Sequence, residues 1–375
     1  MTLVTDQIAG FPSSVTKALL PPAVFYSTKP KSNRKSYLVM KPIISFALLG
    51  ALFAVGAANA AVTDPVGYVT LGDTTAGQPS IKPNTDVYVS IPLLKASVFA
   101  GQVASVAGSV ITISGTPALG ALATPAAPHV VVIENGTKSG LIGLITANDA
   151  STITVAVQPN DNLTGIVAGD ALSIRPSWTV KGVLGSALPA GTQLLGFSGS
   201  FAGINPSADL VYEYDGTNWI DVVSFDVADD VVIYPNETFI IRNVSANPIA
   251  SLVVVGDVPT ANSRTIVTNT AGSGQDNVLT FFGAVDEVIG TSGLSAVAQS
   301  GDRVFAFNNN AAGLNKSSAN VIEYDGTSWI DVVSFDDVTT TFKFEAGKGY
   351  VVRRLPTSAL PPTVWSNAPD YVSGL

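Results

Sequence analysis

Two copies of a Tyr-Asp-Gly-Thr-x-Trp segment place aromatic rings beside a carboxylate: Tyr214, Asp215 and Trp219, then Tyr324, Asp325 and Trp329. Tyr and Trp faces can stack on sugar rings, and an adjacent Asp can accept hydroxyl hydrogen bonds. These six residues are therefore the candidate ligand-binding set, with a glycan as ligand. The competing reading is that the rings cover a hydrophobic core, since cross-strand aromatic pairs stabilise sheets and a buried Trp is mainly packing. Core packing is the favoured reading.

Other chemistry is sparse. Asp221 with Asp226, and Asp331 with Asp336, are carboxylate pairs of the kind glycosidases use, yet a duplicated active site in one small unit is unusual and turn or surface roles fit better. His129 is the only histidine, and no Gly-x-Ser-x-Gly elbow supplies it with a serine nucleophile. One histidine and no cysteine exclude an ordinary zinc site, so no catalytic residue and no metal ligand is assigned. Calcium is the one cofactor to weigh, because Asn160-Asp161-Asn162 and Asp226, Asp229 and Asp230 are oxygen-rich; neither cluster has EF-hand spacing, and such clusters commonly just make turns. Arg242 and Arg353 end matched apolar strands, suited to gripping a partner's carboxylates or simply to facing water.

The elements that must position these residues are themselves duplicated. Glu213–Asp226 returns as Glu323–Asp336, 110 positions later, with thirteen of fourteen residues identical. The match extends backward through Gly191, Phe197, Gly203, Asn205 and Ser207, paired with Gly301, Phe307, Gly313, Asn315 and Ser317. A repeat of this length sets the architecture. Val87–Leu94 has a counterpart in Asn277–Phe282. Excising residues 98–176 leaves 118 residues for the first copy against 117 for the second. The organisation is thus repeat 1 over 62–97 and 177–258, an inserted β module over 98–176, and repeat 2 over 259–375.

Helical periodicity is nearly absent, while short β-branched runs recur between Gly, Pro, Asn and Asp clusters. The fold class is all-β: two homologous β-sandwich-like repeats, the first interrupted by a small β-barrel module whose hairpin signals include Ala107-Gly108 and Asn135-Gly136. Asp215-Gly216 and Asp325-Gly326 suit two-residue type I′ turns, which would pair Tyr214 with Thr217 and Tyr212 with Trp219.

Met40, Lys41, the apolar run from Ile43 to Ala58 and the small residues Ala58-Asn59-Ala60 have the layout of a secretory signal cleaved after Ala60. Residues 1–39 read as an extension upstream of it. The apolar run is about 16 residues, short of the roughly 20 that span a bilayer, so no integral span is expected after cleavage. An outer-membrane barrel is a weak rival, because the strands look too short for one. Removing residues 1–60 takes away six of 19 basic residues and one of 28 acidic residues, leaving a net charge of −14. Such a chain repels phosphate backbones, so nucleic acid is excluded as a partner. There is no cysteine, so stability rests on buried area without disulfides. With 46% hydrophobic and 13% charged residues, disorder is not expected.

Asp64-Pro65-Val66-Gly67-Tyr68-Val69, Ala312-Gly313-Leu314-Asn315-Lys316-Ser317 and Val364-Trp365-Ser366-Asn367-Ala368-Pro369 resemble motifs of an uncharacterised family of exported proteins found chiefly in Verrucomicrobia and Planctomycetes. The resemblance covers most of the mature chain. It implies an exported β-rich protein and transfers no catalytic or binding residue. The expected function is that of a non-enzymatic secreted, cell-surface or periplasmic protein, structural or adhesive, acting through self-association or contacts with other envelope proteins. Glycan binding through the Tyr/Trp hairpins and a carboxylate-based hydrolase are the alternatives.

Overall fold

A computed structural model describes residues 65–198, 203–270, 272–355 and 361–374. The expected signal, its upstream extension and the cleavage point lie outside the described residues. Everything described belongs to one compact unit, Ala61–Leu375, and it is all-β: the only helical pieces are three short turns.

Alternating apolar residues build two five-stranded antiparallel sheets. The first runs, edge to edge, through Trp219–Asp221, Leu210–Tyr214, Gln193–Gly196, Thr238–Asn243 and Thr85–Ser90. The second runs through Trp329–Asp331, Asn320–Tyr324, Arg303–Ala306, Tyr350–Arg354 and Gln275–Leu279. Taken in chain order, the strands occupy the same places in both. Each sheet buries one face: Val87, Val89, Ile241, Leu194 and Trp219 in the first, Leu279, Val352, Val304, Ile322 and Trp329 in the second.

Between Thr85–Ser90 and Gln193–Gly196, two strands of one sheet, the chain makes a closed six-stranded barrel from Phe99 to Pro176. Ala127–Ile133 pairs on one side with Ile142–Asn148 and on the other with Ala171–Pro176, which closes the ring and leaves the six wall strands paired on both sides. Its interior holds Val103, Ile111, Val131, Ile145, Ile153 and Ile174. The turn after Ala107 needs a positive φ, and Gly108 takes it at 59°.

The two five-stranded sheets meet through contacts that each returns to the other. Asp86 accepts from Nε and Nη2 of Arg242 at 2.8 and 2.9 Å, and Asp276 accepts from the same atoms of Arg353 at 2.6 and 2.8 Å. Arg242 continues to the side-chain oxygen of Asn315, while Arg353 continues to that of Asn205. Asn315 N–H donates to Asp86 and Asn205 N–H to Asp276, both at 2.7 Å. Asp86 N–H donates to Gly313 O, and Asp276 N–H to Gly203 O. The arginines therefore do not reach out to a partner's carboxylates as their strand-end positions allowed; they tie this chain to itself. At the meeting point the hydroxyls of Ser90 and Thr280 lie 3.0 Å apart.

Candidate functional site

The hairpins that carry the sequence-derived candidates have a different register from the expected one. Tyr214 faces Trp219, and Tyr324 faces Trp329, so the loops contain four residues. The expected two-residue turns needed two positive φ angles, whereas within each loop only Gly216 and Gly326 adopt one. The Asp215 carboxylate explains the preference. It accepts the N–H groups of Thr217 and Asn218 at 2.7 and 2.8 Å, closing the longer loop from its own side chain, and Asp325 does the same for Thr327 and Ser328. Those backbone donors hold the Asp215 carboxyl below the usual carboxylate range.

The rings point inward. Trp219 and Trp329 are both 0% exposed, their indole N–H groups donating to Gly185 O and to the Ser295 hydroxyl. Tyr214 is buried with its hydroxyl on Ser186 O, and Tyr324 packs against the second core. The ring centroids lie 5.6 Å apart in the first pair and 4.9 Å apart in the second. A fully covered indole has no face to offer a sugar ring. Only Asp215 and Asp325 of the six are exposed.

The remaining candidates stand apart from one another. Asp221 and Asp331 end separate edge strands, each accepting two backbone N–H groups of the loop that follows it. Those donors lower both carboxyls, opposite to what a general acid needs. Nδ1 of His129, on a barrel strand, lies 3.0 Å from Leu122 O. Asp161 is engaged by Lys138 and Arg264, and Asp229 by Lys181 and by the N–H of Trp219. Among the described residues, no three His, Cys, Asp or Glu side chains converge as a metal cage would require.

What the duplicated segment does present is its far end. After each edge strand the sequence Asp-Val-Val-Ser-Phe-Asp folds into a tight loop. Phe225 N–H donates to Asp221 O at 2.8 Å, Asp221 N–H to Asp226 O at 2.9 Å, and Asp226 N–H to the Ser224 hydroxyl. The second loop repeats these bonds from Asp331 to Asp336. Internally satisfied in this way, the loops leave their apolar side chains in water: Phe225 is 77% and Phe335 79% exposed, with Val223 and Val333 beside them equally bare. Both phenylalanines have left-handed backbones, φ 63° and 62°, which for a bulky side chain is a strained state. Sequence reasoning weighed this stretch only for its carboxylates. The available signal was a phenylalanine lying between turn-forming Ser and Asp in both copies.

A second feature is a cavity of about 400 Å³ where the two sheets meet. Phe197, Phe305, Phe307, Tyr88, Lys316 and Arg353 are among its walls. Tyr88 and Phe307 stack face to face at 3.7 Å, and the Arg353 guanidinium lies 4.7 Å above the Phe305 ring. No protein-family model, curated protein or solved structure matches the chain.

Proposed function

We propose that this is an exported, non-enzymatic β protein that works by protein contacts, associating with its own copies or with other envelope proteins through the apolar tips of its two duplicated loops. The observation that carries the reading is the exposure of Phe225 and Phe335 on left-handed backbones. Each such residue costs about 1 to 3 kcal/mol that a glycine or asparagine would largely avoid. Among the described residues no ring contact holds either phenyl group, and their exposure to water favours a use outside the fold. Val66, Tyr68, Val253 and Val255 add a further exposed apolar face on the two-stranded ribbon Val66–Thr70 with Val253–Asp257. Export is supported by the charged start, apolar run and small-residue site over residues 40–60, and the two repeats with an inserted barrel are supported by the shared strand order of the sheets.

The test compares the protein with a variant carrying Val223→Ser, Phe225→Ser, Val333→Ser and Phe335→Ser. Sedimentation velocity over a concentration series and co-sedimentation with cell envelopes are the readouts. Association or envelope retention that the variant loses supports the reading. A wild-type chain that stays monomeric and ignores envelopes sinks it.

A further inference from the structure

The reciprocal joint between the sheets is the same on both sides, but the cavity beside it is not. Asn205 and Asn315 make equivalent hydrogen bonds, as do Gly203 and Gly313. The next position, however, is Pro206 on one side and Lys316 on the other, and Leu195 is answered by Phe305. A joint that closes with Pro and Leu does not require Lys and Phe at the same places. The cation and the extra ring are therefore additions to the cavity wall beyond what assembly of the sheets needs.

Lys316 Nζ donates to Asn308 O at 2.7 Å and to Ala311 O at 2.9 Å. An ammonium has three donors, so one is left without an acceptor among the described residues. The hydroxyls of Ser317 and Ser318, in the same wall, likewise make no hydrogen bond there. Arg353 is already neutralised by Asp276, which leaves Lys316 as the one cation in the wall without an ion-pair partner. Asn205 and Asp276 in the wall are already tied to Arg353, the remaining side chains beside these are aromatic or aliphatic, and about 400 Å³ falls in the range of pockets that hold small organic ligands.

We propose that this cavity binds a small monoanionic ligand with a planar apolar body, an aromatic carboxylate in chemical class, with its acid group on Lys316 and its ring against Phe305 and Phe307. A polyanion would find too few cations here. The proposal is independent of the loop contacts above and leaves Phe225 and Phe335 untouched.

The experiment titrates the purified protein with naphthoate and with its neutral counterpart naphthalenemethanol, following binding by calorimetry or NMR. Naphthoate binds saturably and more tightly than the alcohol. Lys316→Gln weakens naphthoate about tenfold, the equilibrium equivalent of one lost charge-assisted hydrogen bond, and leaves the alcohol unchanged. Lys316→Arg keeps most of the affinity, and Phe305→Leu weakens both probes. Burial, reinforced by Lys82 and only partly opposed by Asp86 and Asp73, pushes the Lys316 ammonium down to about 8. Naphthoate affinity of the unmodified protein therefore falls as pH rises past that value, a readout that needs no variant. Absence of saturable naphthoate binding, equal binding of acid and alcohol, or an affinity indifferent both to Lys316→Gln and to pH overturns the proposal.

Discussion

Arg353 donates from Nη2 to the side-chain oxygen of Asn205, 2.8 Å away and 148 positions earlier in the chain. The same guanidinium grips Asp276, whose side chain is 3% exposed. One arginine thus fastens the edge of its own sheet and the loop that arrives from the other. Replacing Asp276 by Asn leaves Arg353 largely buried without its counter-charge, and breaking such a pair from one side costs about 3 kcal/mol. Urea unfolding of Asp276→Asn measures this. Asp86→Asn, which breaks the counterpart pair with Arg242, gives a similar loss. Combining Asp276→Asn with Arg353→Ala costs less than the sum of the single changes, because the two residues share one interaction.

The tryptophans are structural in their respective cores. Trp219→Ala and Trp329→Ala each remove a wholly buried indole together with its hydrogen bond, and each destabilises the protein by roughly 3 to 5 kcal/mol. Thermal or denaturant melts read this directly. A tryptophan that lost its ring without a stability change would not be core, and the glycan reading of the hairpins would regain its platforms.

The all-β class was legible because strands such as Val110–Ile113 and Tyr350–Arg354 are β-branched or aromatic runs bounded by turn residues, a local property. The barrel was legible from successive hairpin signals within residues 98–176. The hairpin register was not. Asp215-Gly216 serves equally as a whole two-residue turn or as the first half of a four-residue one, and the choice rests on where the Asp215 carboxylate folds back. Loops that run against propensity also escape a reading built on propensity, so Phe225 passed unnoticed. The cavity escaped for a different reason. Tyr88, Phe197, Phe307 and Lys316 are far apart in sequence and meet only because Asn205 and Asn315 cross between the sheets.

Strain at the loop tips has a measurable sign. Phe225→Gly and Phe335→Gly place a residue without Cβ at φ values near 60°, which relieves about 1 kcal/mol each despite the added flexibility of the unfolded chain. The double variant therefore melts at or above the temperature of the unmodified protein. It also associates less with itself and with envelopes. A stabilised protein with undiminished association would separate the strain from the contact and remove the reason for keeping phenylalanine there.

Glu237 gives the protein a pH dependence near neutrality. Its carboxyl is closed in at the seam where Gln158 of the barrel donates to one oxygen at 3.1 Å and Tyr234 N–H approaches the other at 3.4 Å. Burial raises it from the ordinary 4.5 to about 7, against the pull of those donors. The folded protein therefore keeps this proton over a range in which the unfolded chain has released it. Stability from this group is complete below about 4.5, declines as pH rises and is lost by the time pH passes about 7. The span corresponds to roughly 3 kcal/mol. Glu237→Gln keeps an acceptor for Gln158 and carries no charge, so its stability is flat across that window and exceeds that of the unmodified protein above it. Denaturant unfolding of both proteins across the window checks the slope, and an unmodified protein as flat as the variant would place the Glu237 carboxyl in water.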